Sequence, residues 1–372
     1  MMTKNKDVKS LYIHIPFCDH ICDYCDFPKL QYFRTFAEKY ISALKKEIES
    51  YHINPKSLET IYIGGGTPTS LDDDLFEELL RFVSSYIKNV KEYTIEANPE
   101  SLTLNKLQLM KKCGVNRISI GVESTDDKIL ELINRHHTFK DVQTAVSNAY
   151  KEGFDNLNVD LIIGLPQVNK ERLKKDLDNI LSLGVSHISC YSLTVHPNTM
   201  FYIKGINPPE DDFARELYDI VEAKLHEAGY VHYEISNWAK PKRESIHNFT
   251  YWKDEQYYGV GLGASGFIGD ARYTNTRNLD KYLNGEYVES KEVVEPEDDK
   301  TYFVMLNLRT NRGISLDEYR NRFGEDFLDK YEPKIKDFIN SGLLTFNKET
   351  NSIIPTYDGM MILDKMIMEL TD

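Results

Sequence analysis

The chain has 372 residues, 41% hydrophobic and 28% charged, with a formal net charge of −14. That length can bury one large core and a smaller one, and the balance is that of a soluble globular protein. The acidic surplus speaks against nucleic acid as a partner, because Lys111-Lys112 and Lys240-Pro241-Lys242-Arg243 are short solvated stretches and not a basic face.

The first ten residues are polar, with three lysines and no apolar run, which predicts neither signal peptide nor membrane span and places the chain in the cytoplasm. Leu11, Ile13 and Ile15 then alternate with Tyr12 and His14, a strand pattern. Ala37, Tyr40, Ile41, Leu44 and Ile48 share one helical face. Ile61-Tyr62-Ile63 is a strand running into Gly64-Gly65-Gly66, and Leu75 to Val83 the next helix. The alternation continues through strands at Tyr93–Glu96, Arg117–Ile120, Leu157–Ile162 and His187–Tyr191, with helices opening near Thr103, within 126–151 and over 170–183. Six βα units in series predict an α/β fold, an open six-stranded parallel (β/α)6 partial TIM barrel with a wide mouth. A helix over 212–228 and an aromatic, glycine-rich stretch over 231–277 follow. Helix patterns near 300–310, 316–322 and 327–341, a hairpin and a last helix suggest a helical, winged-helix-like module. The expected domains are a barrel over 1–200, an extension over 201–290 and a C-terminal domain over 291–372.

Cys18, Cys22 and Cys25 stand at C-x3-C-x2-C spacing just after the first strand. Three thiolates on one short loop can hold three irons of a 4Fe–4S cluster and leave the fourth iron open to a ligand. A zinc site pairs two short ligand units from separate parts of the chain. The other cysteines, Cys113 and Cys190, have no Cys or His at that spacing. Five cysteines are also an odd and sparse set for a disulfide framework.

Chemistry in parallel barrels gathers at the C-terminal ends of the strands. The cysteine loop, the run Gly64-Gly65-Gly66-Thr67-Pro68-Thr69, Glu96, Glu123, Asp160 and Tyr191-Ser192 all fall there. Singly, a triglycine is a tight turn and a carboxylate a cap or ion-pair partner; together they predict one shared site.

The run Tyr12-Ile13-His14-Ile15-Pro16-Phe17-Cys18, the cysteine spacing and Gly-Gly-Gly-Thr-Pro-Thr resemble the radical S-adenosylmethionine superfamily. Within it they are similar to the branch of oxygen-independent coproporphyrinogen III oxidase. The resemblance implies a 4Fe–4S cluster on Cys18, Cys22 and Cys25 and S-adenosylmethionine bound at its open iron. It also implies an electron donor such as flavodoxin or ferredoxin. It puts Tyr12, Tyr24, Gly65, Gly66, Thr67, Glu96, Glu123, Arg135 and Asp160 at positions that contact S-adenosylmethionine, with Glu123 standing where that branch has glutamine.

Two departures separate the chain from the oxidase. Phe27 replaces a fourth cysteine, and the first cysteine is already residue 18. In their place come His247-Asn248-Phe249-Thr250-Tyr251-Trp252, an H-N-x-x-Y-W motif, and the small C-terminal module. That combination resembles the haem-chaperone family HemW. It implies haem as cargo and delivery to recipient haem proteins, membrane cytochromes among them, with peripheral contact at the membrane. It makes His247, Tyr251 and Trp252 candidate haem contacts, since a histidine can ligate iron and aromatic faces can pack a macrocycle. His232 is the alternative ligand. Conversion of coproporphyrinogen III is the competing activity.

Overall fold

The computed structural model describes residues 8–371; the polar residues 1–7 that entered the reading of the N-terminus lie outside them. Six strands form its centre: β1 (Ser10–Ile15), β2 (Thr60–Gly65), β3 (Glu92–Ala97), β4 (Arg117–Glu123), β5 (Leu157–Ile163) and β6 (His187–Ser192). Each pairs in parallel with the next. The intervening helices include Arg34–Ser50, Asp73–Val83, Leu104–Lys112, Phe139–Lys151 and Lys170–Ser182. Their starts are set locally. Thr103 and Asn169 accept from backbone N–H groups of the first turn, and Thr138 and Asp141 form a reciprocal capping box.

Period-two alternation decides what faces where. Leu11, Ile13 and Ile15, Ile61 and Ile63, and Ile118 and Ile120 belong to one continuous buried core with Ile41, Leu44 and Leu79 of the helices. Each such side chain contributes roughly 1.5–3 kcal/mol by leaving water. The alternate positions are polar and bond to one another across the barrel. Asn158 donates to Ser119 Oγ at 2.7 Å and to Asp160 at 2.8 Å, and its carbonyl oxygen lies 2.6 Å from His187 Nδ1. His187 Nε2 in turn meets the Tyr233 hydroxyl at 2.8 Å. A polar interior of this kind distinguishes the barrel from closed eight-stranded ones, which fill with branched apolar side chains.

The sheet does not stop at six strands. Tyr257–Val260 adds in parallel beside β1, followed by the antiparallel strands Ser265–Ile268, Ala271–Asn275 and Val288–Val293. At the other edge Asn237–Ala239 adds antiparallel to β6 and Val231–Glu234 then adds antiparallel to Asn237–Ala239, giving twelve strands among the described residues. The sequence expectation of six counted only strands followed by helices. Most of the added strands are short, and Tyr257–Val260 and Ser265–Ile268 each carry a glycine, which hides their periodicity. Gly259 is required there, because a Cβ would lie 1.7 Å from the Ser265 carbonyl oxygen.

A second core, around Phe303, Tyr319, Phe327, Ile335 and Met366, belongs to the C-terminal part. It is built on helices Pro296–Asn307, Leu316–Phe323 and Phe327–Asn340. The expected hairpin, Leu344–Asn347 with Ser352–Pro355, gains a third strand at Ile314–Ser315. The expected last helix is split into Tyr357–Met361 and Leu363–Thr371. An ionic lock fastens this part to the barrel extension. Arg322 pairs with Asp299 at 2.6 Å and with the fully buried Asp254, which also pairs with Arg272. Among the described residues no helix is long and apolar enough to cross a membrane.

Candidate cluster and cofactor site

β1 ends at Ile15, and the chain turns at once into the cysteine loop. The loop is pinned at several points. Phe17-Cys18 and Leu30-Gln31 form a short parallel ladder, Leu30 N bonds Pro16 O at 2.6 Å, and His14 Nε2 meets Pro28 O at 2.7 Å. That bond fixes the ring proton on Nε2, so Nδ1 accepts from the Tyr12 hydroxyl at 3.0 Å. Burial lowers the His14 pKa to about 4, which keeps the ring neutral.

The triglycine turn clamps the loop from the other side. Gly66 N bonds Ile15 O at 2.8 Å and Thr67 N bonds Phe17 O at 2.7 Å. A Cβ on Gly66 would come within 2.8 Å of both carbonyl oxygens, and one on Gly65, at φ +106°, within 2.3 Å of the His14 ring. Glycine is therefore demanded here by the protein's own backbone and His14, before any ligand is considered.

Cys18, Cys22 and Cys25 line a cavity of about 410 Å³ at the C-terminal ends of the strands. Gly65, Gly66, Thr67, Glu96, Glu123, Arg135, Asp160 and Tyr24 are on its wall, so eight of the nine cofactor positions expected from sequence meet the cysteines there. Tyr12 does not line it; its hydroxyl is spent on His14. The Thr67 hydroxyl lies 3.6 Å from Cys18 Sγ, and Arg135 Nη1 lies 3.7 Å from Cys22 Sγ. Burial pushes the Cys18 thiol up to about 12 and the Cys25 thiol to about 11, so metal ligation there must displace protons. Among the described residues no three His, Cys, Asp or Glu side chains are grouped to hold a single metal ion.

The carboxylates are set deep. Glu96 accepts from the Tyr62 hydroxyl at 2.6 Å and from Gly65 N at 2.8 Å; burial nonetheless raises its pKa to about 7. Glu123 sits at φ +63° where the β4–β5 register slips, a bulge that turns its side chain toward the cavity. Burial raises it to about 7 against the pull of Arg135, whose Nη2 is 3.8 Å away. Asp160 is raised by burial too, while Asn158 and Ser119 hydrogen-bond it. Arg135 is held by Asn98 Oδ1 at 3.0 Å and by the Gly121 carbonyl, while its buried Nε has no hydrogen-bond partner among the described residues.

Sequence reasoning did not single out Asn98, Ser119, Gly121 or Ile162, nor Lys29 and His196 at the same cavity. Ser119 was findable as the polar member of an alternating strand; Asn98 becomes visible only through Arg135.

The H-N-x-x-Y-W segment is elsewhere. It forms helix Ile246–Trp252, whose N-terminus is held by the carboxylate of Glu92 at the start of β3. Ser245 Oγ, Ile246 N and His247 N donate to it at 2.9–3.0 Å. His247 Nδ1 meets Thr60 Oγ1 at 2.8 Å and Nε2 meets the Tyr251 hydroxyl at 2.8 Å. Thr60 and Ser10 begin their strands, so this helix packs under the barrel floor, at the opposite end from the cysteines. His247 is 1% exposed and offers no free ring nitrogen in this arrangement. His232 is stacked on Trp238 at 4.1 Å, with Nδ1 facing Glu222 at 3.3 Å and Nε2 facing the Tyr218 hydroxyl at 3.2 Å.

Comparison with known proteins agrees with this architecture. Residues 12–180 match the Radical SAM superfamily and 294–351 the HemN C-terminal domain. The coproporphyrinogen III oxidase (HemN) of Escherichia coli, a radical SAM enzyme, superposes with a TM-score of 0.84. The match covers 99% of this chain and 91% of that one at 22% identity, a likeness of fold. The heme chaperone HemW of Bacillus subtilis is 37% identical over 370 residues, covering 95% of this chain and 97% of its own. That of Escherichia coli K12 is 33% identical over 348 residues, covering 90% and 91%. At that identity over nearly the whole length, the chain belongs to the HemW heme chaperone family, built on a radical SAM fold.

Proposed function

We propose that the chain is a haem chaperone. Its cavity would hold a 4Fe–4S cluster on Cys18, Cys22 and Cys25 with S-adenosylmethionine beside it, and it would pass haem to recipient haem proteins. The observation that carries the cofactor part is convergence. Three cysteines, the triglycine turn, the buried Glu123, the half-buried Glu96 and Asp160, and Arg135 come from five different βα units onto one cavity wall. The donor set fits: three thiols free of disulfides, one beside a hydroxyl and one beside a guanidinium, suit thiolates held around a cluster. Arg135 Nε, buried and unpartnered, suits a carboxylate of the ligand. Glu96 and Glu123 suit its cationic groups.

A bound cluster with an open iron supplies one electron for reductive cleavage of the sulfonium. The protein's own part is to hold and orient. Glu96 is fixed through both oxygens, and Thr67 and Arg135 face the sulfurs. The haem part rests on the relatives, each named a heme chaperone. Membrane-bound cytochromes as recipients, and flavodoxin or ferredoxin as electron donor, belong to this proposal.

Anaerobic reconstitution should give about four irons per chain, lost when the three cysteines become serines. Haem titration should give a Soret shift. Stoichiometric zinc without sulfide would refute the cluster. Efficient conversion of coproporphyrinogen III by the reduced, loaded protein would replace the chaperone reading with the oxidase.

A further inference from the structure

The haem-chaperone reading leaves the cargo without a place, because the motif expected to hold it is packed under the barrel floor. We propose that haem docks at the rim of the cysteine cavity, with His20 as its iron ligand and His136 as the residue that holds the ligand ring in place. This rests on the chaperone reading and deepens it.

His20 lies between Cys18 and Cys22, is exposed and lines the cavity mouth. Its ring stacks on His136, with centroids 3.8 Å apart and planes 27° off parallel. Neither His20 ring nitrogen has a hydrogen-bond partner among the described residues, whereas those of His14, His187, His232 and His247 are all engaged. The stack is built and not incidental. Asn134 takes a left-handed φ of +60° and donates to Ile21 O at 2.8 Å, while Asp23 N bonds Ile133 O at 3.2 Å. The 133–136 turn is thereby strapped to the cysteine loop at two points just after His20.

An iron-ligating nitrogen alone would fit many metals. The surroundings select a flat apolar ligand. Phe27 is 61% exposed on the same cavity mouth, and Tyr191 is exposed at the end of β6. Helix Met200–Ile203 is tied to the cysteine loop by a bond from Phe201 N to Asp23 O at 3.0 Å, and it leaves Met200, Tyr202 and Ile203 exposed. Large apolar side chains on two segments beside one loop form a patch of the kind that marks a binding surface. A macrocycle that buries apolar faces and takes an axial imidazole satisfies both features, and a free metal ion satisfies only one. His196 lies at the same mouth but is turned to Asp26 at 3.4 Å.

The test is haemin titration of the full-length protein, read by the Soret band and by the electron paramagnetic resonance of the ferric form. Iron–sulfur content is measured on every sample. His20→Gly should lose the histidine-ligated signature and bind about tenfold or more weakly, and added imidazole should restore the signature. Because His20 sits between two cysteines, His136→Ala and Phe27→Glu provide a reading outside that pair. Both should weaken haem binding severalfold while keeping the cluster. Parent-like spectra and affinity in His20→Gly, or in both other variants, would overturn the site and leave the chaperone reading standing. A parent protein that gives no Soret shift would overturn the chaperone reading and this site with it.

Discussion

Replacing His247 with alanine separates a floor-packing role from a haem-ligand role. The ring makes two hydrogen bonds, to Thr60 and Tyr251, in a site 1% exposed. Each is worth about 1 kcal/mol, and the vacated ring adds about 1–2 kcal/mol of void cost. His247→Ala should therefore destabilise the protein by about 3–4 kcal/mol, lowering the urea midpoint by roughly 1 M or more.

The deficit should also depend on pH. Burial lowers the folded-state pKa of His247 to about 3, whereas the unfolded value is near 6.5. Below about 6.5 the unfolded parent takes up a proton that the folded parent refuses, so this residue's contribution falls as pH falls. Alanine has no such cost. The gap between parent and variant should narrow by roughly 1 kcal/mol between about pH 7 and about pH 5.5. Urea titrations followed by far-UV circular dichroism at both pH values, with a haem titration on the folded fraction, make the measurement. An unchanged midpoint together with a lost Soret band would refute the floor-packing argument and make His247 the ligand.

Three further outcomes follow from the geometry. Gly66→Ala should cut the iron bound on reconstitution, because its Cβ would press on Ile15 O and Phe17 O at 2.8 Å and displace the cysteine loop; iron assay checks this. Glu123→Gln keeps the shape of the side chain but removes the charge facing Arg135, so calorimetry on cluster-loaded protein should show S-adenosylmethionine binding two- to tenfold weaker, at most about 1.4 kcal/mol. A larger loss would make that carboxylate a principal holder of the ligand's cation. Arg322→Met leaves Asp254 buried beside Arg272 alone and should cost about 3 kcal/mol of attachment of the C-terminal part. Limited proteolysis should then cut faster ahead of Pro296 while the barrel persists.

Local pattern carried much of this architecture. The six βα units, the Thr103 cap and the C-terminal hairpin all show as periodicity or capping chemistry in neighbouring residues. What stayed hidden depends on partners far along the chain. Nothing near His247 indicates that its helix will be held by Glu92, over 150 residues earlier. Nothing near Tyr257 marks it as the parallel neighbour of Ser10. Glu123 is legible as a candidate by position, but its turn toward the cavity comes from a register slip against β5, a property of two strands together. The triglycine was legible as a run of residue types, although the partners that demand it, His14, Ile15 and Phe17, lie about 50 residues earlier in the chain.

The pairing of Tyr257–Val260 beside β1 has a consequence for synthesis. The strand that feeds the cysteine loop is made first, yet its outer edge waits for residues about 240 positions later. At typical elongation rates that interval is roughly 12–50 s. During it the nascent chain presents an unpaired edge, and the floor helix, also late, has not closed beneath the barrel. A ribosome-bound chain of this protein therefore passes through a stage with its cysteines made and its barrel open at one side. Pausing near residue 250 would lengthen that stage, and with it both the time for metal loading and the exposure to misassociation.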